Sequence, residues 1–180
     1  ASRFPELADE VGAAFHGGPF RVYHTDDIVG AELGGALKNI IAIACGVADG
    51  MGAGLNTRVA LMTRGLAEIS RLAVARGANP LTLAGLAGMG DLTLTCTGNL
   101  SRNRRVGIGL GQGKSLSLIL DELGQVAEGV ITTKTAVSLA KQVNIELPIT
   151  QGIYDLLYCG ETVPNVMKRL LGRERKAERG

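Results

Sequence analysis

The sequence predicts an all-α fold. About eight or nine helices should occupy residues 25–180, preceded at 1–24 by a helix and one strand-like segment left over from an α/β unit. Three observations carry this. Aromatic residues make up 3 % of the chain and Trp is absent, while 46 % is hydrophobic. A core without large rings is built from Leu, Ile, Val, Ala and Met, which suits close-packed helices better than an aromatic-rich sandwich. From Thr25 onward apolar residues recur at helical spacing between cap and stop signals. After that point no segment alternates convincingly as a strand does.

The elements follow in order. "PELADEVGAAF" (5–15) has helical spacing, and "PFRVYHT" (19–25) alternates like a strand and ends at a turn signal. A lone strand forms no sheet, so it either pairs with another chain or closes a domain lying before residue 1; an opening Ala rather than Met favours the second. "TDDIVGAELGGALKNIIAIACGVADG" (25–50) opens on Thr25 or Asp26 as cap and stops at Gly50. It is apolar almost all round, the mark of a buried central helix. "NTRVALMTRGLAEISRLAVARG" (56–77) is capped by Asn56 or Thr57 and stopped by Gly77. Leu55, Val59, Met62, Leu66, Ile69 and Ala73 form its core stripe; Arg64, Glu68 and Arg71 form a solvated face of helical charge pairs. Short helices are expected near 80–86 (Pro80 first), 91–97, 101–111 and 115–123, the last capped by Ser115. Longer ones are expected near 129–143, 149–159 and 162–171, and the charged tail "RERKAERG" should fray.

Composition removes several function classes. Net charge is +2 from 19 basic and 17 acidic side chains, which gives no electrostatic case for bulk nucleic-acid binding; the arginines at 102–105 are a local feature. Cys45, Cys96 and Cys159 are odd in number, far apart and in no Cys-x-x-Cys, so neither a metal site nor a disulfide framework is indicated, and a reducing cytoplasm follows. No signal peptide is visible, and the most apolar run, "IIAIACGVA" (40–48), is too short to span a bilayer. His16 and His24 lie in the N-terminal segment and carry no assigned chemistry.

The stretch "GNLSRNRRVGIGLGQGKS" (98–115) imitates a nucleotide loop. A P-loop counted back from Gly113 needs its first glycine where Ile108 stands, and no buried strand precedes it. The dinucleotide pattern G-x-G-x-x-G finds Gly107 and Gly109 but meets Gln112 in third place. The Gly-Lys-Ser end reads as a loop and cap, which leaves "SRNRR" as the half able to hold an anion.

Lys38 sits mid-helix in an apolar context. Its same-face neighbours Ala31, Gly34, Gly35, Ile41, Ala42 and Cys45 are mostly small, which leaves room for a cleft. Burying an ammonium favours its neutral form, which suits proton exchange near neutral pH. The plainer alternative is a lysine that snorkels to water.

"AELGGALKNIIAIACGVADG" (31–50), "GLAGMGDLTLTCTGNLSRNRRVG" (85–107) and "VAEGVITTKTAV" (126–137) together closely resemble the C-terminal domain of the bacterial NAD(P)-dependent glycerol-3-phosphate dehydrogenases, over nearly the whole chain and in the right order. The resemblance implies a multi-helix domain of the 6-phosphogluconate-dehydrogenase-like type over 25–180, with 1–24 as the end of an N-terminal Rossmann domain. That missing domain would carry the main site for NAD or NADP. The implied reaction interconverts dihydroxyacetone phosphate and glycerol 3-phosphate, a step toward phospholipid precursors. The implied setting is a cytoplasmic homodimer without metal, nucleic acid or membrane span, the isolated fragment being inactive.

The resemblance also implies roles by matching motif. Lys38 exchanges the proton at the C2 oxygen, and Asn39 borders the substrate. Asp91 binds substrate. Ser101, Arg102 and Asn103 hold the substrate, with Arg102 also near the cofactor. Val126 and Glu128 touch the dinucleotide. The chemistry is consistent: an ammonium supplies the proton as charge develops, and an arginine fork with a helix start anchors the phosphate. Asp91 would repel a phosphate, so it belongs at the hydroxyl end or beside Lys38; an N-cap for "LTLTC" is the plain alternative. Thr95, one turn later, reaches the pocket or bonds its own helix. Of Arg104 and Arg105 one is expected on a solvated basic face, and Glu128 could equally be an ordinary first-turn residue. The rivals are a related hydroxy-acid or sugar-phosphate dehydrogenase domain, against which "SRNR" after "GDLTLTC" argues, and a non-catalytic dimerisation or binding module, against which Lys38 argues.

Overall fold

A computed structural model describes residues 1–174. The helices are α1 (Pro5–Phe15), α2 (Ile28–Gly50), α3 (Leu55–Ala75), α4 (Pro80–Ala84), α5 (Asp91–Thr97), α6 (Arg102–Gly111), α7 (Leu116–Leu123), α8 (Glu128–Gln142), α9 (Pro148–Tyr158) and α10 (Val163–Leu171), with one π turn, Leu86–Gly90, between α4 and α5. The all-α reading holds, and most helices begin or end within a residue or two of where caps and glycines place them. The expected strand at 19–25 does not form. That segment has only an isolated bridge between Gly17 and Phe20, because no neighbouring strand among the described residues offers a ladder. Of the charged tail, Arg173 donates to Glu146 Oε2 at 2.9 Å; residues 175–180 lie outside the described residues.

α2 is the axle of the fold. It is buried without a break from Asn39 to Ala48, and α3, α5, α6, α8 and α9 pack around it. At 23 residues it is long and apolar enough to cross a membrane, unlike the short run within it; however, 56 % of its apolar window is covered by the chain's own helices, as a core helix requires. Its cap is Asp27, not Thr25 or Asp26. Asp27 Oδ1 accepts from the Gly30 N–H at 2.8 Å, while Oδ2 accepts from the Asn79 N–H at 2.9 Å. Asn79 in turn caps α4 by accepting from the Leu81 N–H at 2.9 Å, so one carboxylate ties two helix starts together.

Partial burial alone would raise the Asp27 carboxyl, but hydrogen bonds from Gly30, Thr82 and Asn79 bring it below its ordinary value. Stability from a lowered acid is present above its unfolded pKa and lost as pH falls through the folded one. Asp27→Ala should therefore cost about 1 kcal/mol in urea titrations at neutral pH, a deficit that shrinks below about pH 4. A deficit that does not change with pH would refute the role of the charge.

α3 departs from its expected stripe. Leu55 and Val59 are 70 % and 59 % exposed, and the cap position is Gly54, with no side-chain bond. The buried face is Met62, Gly65, Glu68, Ile69, Leu72 and Ala73, rotated toward α2 and α9. Glu68, expected in solvent, is buried: its Oε1 accepts from the Ile149 N–H at 2.6 Å, and its Oε2 accepts from the Thr150 N–H at 3.1 Å and the Thr150 hydroxyl at 3.0 Å. It thus caps α9 from α3.

The glycines of the false nucleotide loop have a different use. Gly107 and Gly111 on α6 face Gly46 and Gly50 on α2, each pair four residues apart. A Cβ on Gly107 would sit 2.0 Å from the Ile43 carbonyl oxygen; one on Gly46 would sit 2.1 Å from the Arg104 oxygen. At Gly111 and Gly50 the corresponding distances, to the oxygens of Val47 and Ile108, are both 2.3 Å. Only glycine permits such backbone contact, so the run serves helix packing and brings "SRN" against the helix that carries Lys38.

Candidate functional site

The site is assembled from α2, α5, α6 and the start of α8. Lys38 projects from α2, and its Nζ donates to Asp91 Oδ2 in an ion pair that bridges residues 53 apart in sequence. The two side chains are 19 % and 34 % exposed, so the pair is sheltered but open to solvent on one side. Lys38 does not simply run out to water. Asp91 is the first residue of α5, not its cap, which is Gly90. It is delivered there by the π turn, closed by the Gly90 N–H on the Gly85 carbonyl at 3.1 Å. A Cβ on Gly88 would lie 1.9 Å from the Leu83 oxygen, so this widened turn needs glycine. Thr95 Oγ1 donates to the Asp91 carbonyl at 2.7 Å and lies 3.5 Å from Asp91 Oδ1, so it steadies α5 while facing the pair.

Beside the pair runs a buried amide chain. Asn103 Nδ2 donates to Asn39 Oδ1 at 3.0 Å, and Asn103 Oδ1 accepts from the Gly129 N–H at 2.8 Å. Asn39 Nδ2 points back to the Gly35 carbonyl at 3.5 Å. Both amides are thus occupied inside the protein, locking α2, α6 and α8 together. A Cβ on Gly129 would come within 2.8 Å of both Asn103 Oδ1 and the Asn39 carbonyl, which fixes that residue as glycine.

Around this chain lie the remaining residues named from the sequence. Ser101 caps α6, its hydroxyl accepting from the Arg104 N–H at 3.2 Å. Arg102, the first residue of α6, is exposed, and its side chain makes no hydrogen bond or ion pair to any described residue. Val126 and Glu128 are exposed at the entry to α8. Since Asn103 is bonded to Gly129, Arg102 and Glu128 flank the same contact. The arrangement offers one sheltered ammonium, one free guanidinium at a helix start with unpaired N–H groups, and a carboxylate nearby.

Arg105 is exposed, but Arg104 is not a solvated residue: its Nε donates to Asp49 Oδ2 at 2.8 Å and its Nη1 to Asn99 Oδ1 at 3.2 Å. Sequence reasoning missed Asp49, its other partner Arg58 and Gly129. A signal for Asp49 existed: a carboxylate in the last turn of an apolar helix opposes the helix dipole and needs cationic partners. Cys45 and Cys96 are buried, the Cys96 thiol pushed up by its hydrogen bond with Cys45 and by burial, and Cys159 is exposed. Among the described residues, concavities away from this site include one between α6 and α7 beside Arg105 and Lys114 and another among α8, α9 and α10.

Residues 27–168 match the model of a family described as the NAD-dependent glycerol-3-phosphate dehydrogenase C-terminus. The chain is 55 % identical, over 99 % of its length, to a glycerol-3-phosphate dehydrogenase (NAD(P)+) of Glaesserella parasuis, covering 53 % of that relative. It is 57 % identical, over 96 % of its length, to one of Citrifermentans bemidjiense, covering 51 %. The chain therefore spans about half the length of the curated relatives it matches. It superposes on glycerol-3-phosphate dehydrogenase of Coxiella burnetii with a TM-score of 0.89 at 43 % identity, covering 93 % of this chain and 52 % of that one. For the Saccharomyces cerevisiae enzyme the TM-score is 0.82 at 29 % identity, covering 92 % and 48 %.

Proposed function

Because the chain belongs to the family of NAD-dependent glycerol-3-phosphate dehydrogenase C-terminal domains, we propose that it is the substrate domain of an enzyme interconverting dihydroxyacetone phosphate and glycerol 3-phosphate. The carrying observation is the Lys38–Asp91 pair set beside the Asn39–Asn103–Gly129 chain and the free Arg102. In this reading the Lys38 ammonium gives its proton to the C2 oxygen as negative charge develops there, and takes one back in the reverse direction. Asp91 aims that ammonium by accepting its hydrogen bond. Arg102, with Ser101 and the open backbone N–H groups of Arg102 and Asn103 at the start of α6, anchors the phosphate, the Asn103 side chain holding that helix start in place, and this remote binding aligns C2.

The reduced nicotinamide cofactor, when bound, supplies the hydride. Arg102, Val126 and Glu128 fit a dinucleotide arriving from outside: a guanidinium for its phosphates, an apolar wall, and a carboxylate for a hydroxyl. Its main site belongs to a preceding Rossmann domain, of which residues 1–24 are the end. α1 supports this, since it buries none of its residues and, with Phe4 just before it, exposes Leu7, Val11 and Phe15 along one stripe that wants a partner. The enzyme is read as a cytoplasmic homodimer that feeds phospholipid precursor synthesis; on its own the C-terminal domain turns over no substrate.

The test is Arg102→Ala in the full-length enzyme. With the nicotinamide cofactor saturating, so that any loss of cofactor affinity is masked, losing a charge-assisted fork should raise KM for dihydroxyacetone phosphate about 10- to 100-fold, with little change for unphosphorylated dihydroxyacetone. Equal losses on the two substrates would sink the phosphate assignment.

A further inference from the structure

The geometry points to Asp49 as a positioning residue that sets the substrate-anchoring end of α6 against Lys38. The inference rests on the functional reading just given. Asp49 stands in the last turn of α2, its side chain only 10 % exposed. Its Oδ1 accepts from Arg58 Nε at 3.0 Å and Nη2 at 2.7 Å. Its Oδ2 accepts from Arg104 Nε at 2.8 Å and pairs with Arg104 Nη2 at 2.7 Å. One carboxylate thereby joins α2, α3 and α6.

Arg104 carries this constraint to the site. Its Nη1 holds Asn99 in the loop before α6, and its backbone N–H is held by the Ser101 hydroxyl. Arg102 and Asn103 lie between these fixed points. Lys38 and Asp49 are eleven residues apart on α2, about three turns, and so share nearly one face of a stiff rod about 16 Å long. Lys38 is at one end and the anchor of α6 at the other.

The glycine contact explains why a clamp is needed. Gly46, Gly50, Gly107 and Gly111 bring the two backbones together but remove the side-chain ridges that normally fix how one helix seats on another. Smooth surfaces set the spacing of the axes and leave sliding and rotation weakly opposed. The charged forks at Asp49 supply the missing register, and Arg102 has no partner of its own to hold it in place.

The experiment is Asp49→Asn in the full-length enzyme, assayed with dihydroxyacetone phosphate and with dihydroxyacetone, well below the melting temperature of each variant. We expect KM for the phosphorylated substrate to rise about tenfold, with kcat/KM for the unphosphorylated one changed less than about threefold, and the pH profile of kcat unmoved. Arg104→Lys keeps the charge but loses the fork, so it should show the same split at smaller size; it also serves if Asp49→Asn fails to fold. An unchanged KM, or equal losses on both substrates, would mean that the clamp only stabilises the fold and would overturn the positioning role alone. A wild type inactive on dihydroxyacetone phosphate would overturn the functional reading and the positioning role with it.

Discussion

Lys38→Met in the full-length enzyme is expected to lower kcat for dihydroxyacetone phosphate by about 10²- to 10⁴-fold, with KM changed little. Methionine keeps the length and apolar stem of the lysine, so the packing of α2 survives. The Asp91 carboxylate, 34 % exposed, then turns to water without becoming a buried unpaired charge. What disappears is the group placed to protonate the oxygen at C2. Lys38→Arg separates the two parts of that role. Arginine keeps a positive charge near Asp91 but does not release a proton at working pH, so turnover should stay low even though the oxygen is still near a cation. A loss below about tenfold in the methionine variant, or near-full activity in the arginine variant, would remove Lys38 from the acid–base chemistry.

Most of the helices were legible in the sequence because their boundaries are local. Ser115 caps α7, Pro80 opens α4, and Gly50 ends α2, each using atoms within a turn of itself. What escaped is non-local. Leu55 and Val59 fit a helical stripe, but which stripe faces the core is decided by where α2 and α9 lie, and they take the face of Met62, Glu68 and Leu72. Glu68 looks like half of a surface charge pair until the uncapped start of α9 is placed over it. The segment 19–25 has strand-like alternation and no partner among the described residues. Gly107 and Gly111 lie in a run that imitates a nucleotide loop. Their four-residue spacing, matched by Gly46 and Gly50, was the helix-packing signal. At the site, residue types near Lys38, Asp91 and "SRN" marked candidates, but Asp49 and Gly129 act through distant partners and become visible only once the helices are packed.

Glu68→Ala is expected to destabilise the fold by about 3 kcal/mol at neutral pH, seen as a lower urea midpoint with an unchanged slope. α9 begins at Pro148 behind Leu147, whose side chain cannot cap it. The Glu68 carboxylate does so from α3, taking the N–H groups of Ile149 and Thr150 and the Thr150 hydroxyl at the positive end of the helix dipole. Alanine leaves two buried N–H groups without an acceptor, which outweighs the gain from no longer burying a charge. The pH dependence runs opposite to that of Asp27. Burial pushes the Glu68 carboxyl above its ordinary value, and the hydrogen bonds and Arg71 only partly pull it back. Between the unfolded and folded pKa the native state binds more protons than the unfolded chain. The contribution of this titration is therefore full below the unfolded value and is lost as pH rises through the folded one, by at most about 1.4 kcal/mol per pH unit. Glu68→Gln lacks the titration and carries a fixed penalty for losing acceptors. The stability of the wild type minus that of the glutamine variant should therefore fall as pH rises from about 4.3. A difference that stays flat or rises there would show that the hydrogen bonds, not burial, govern the charge of Glu68.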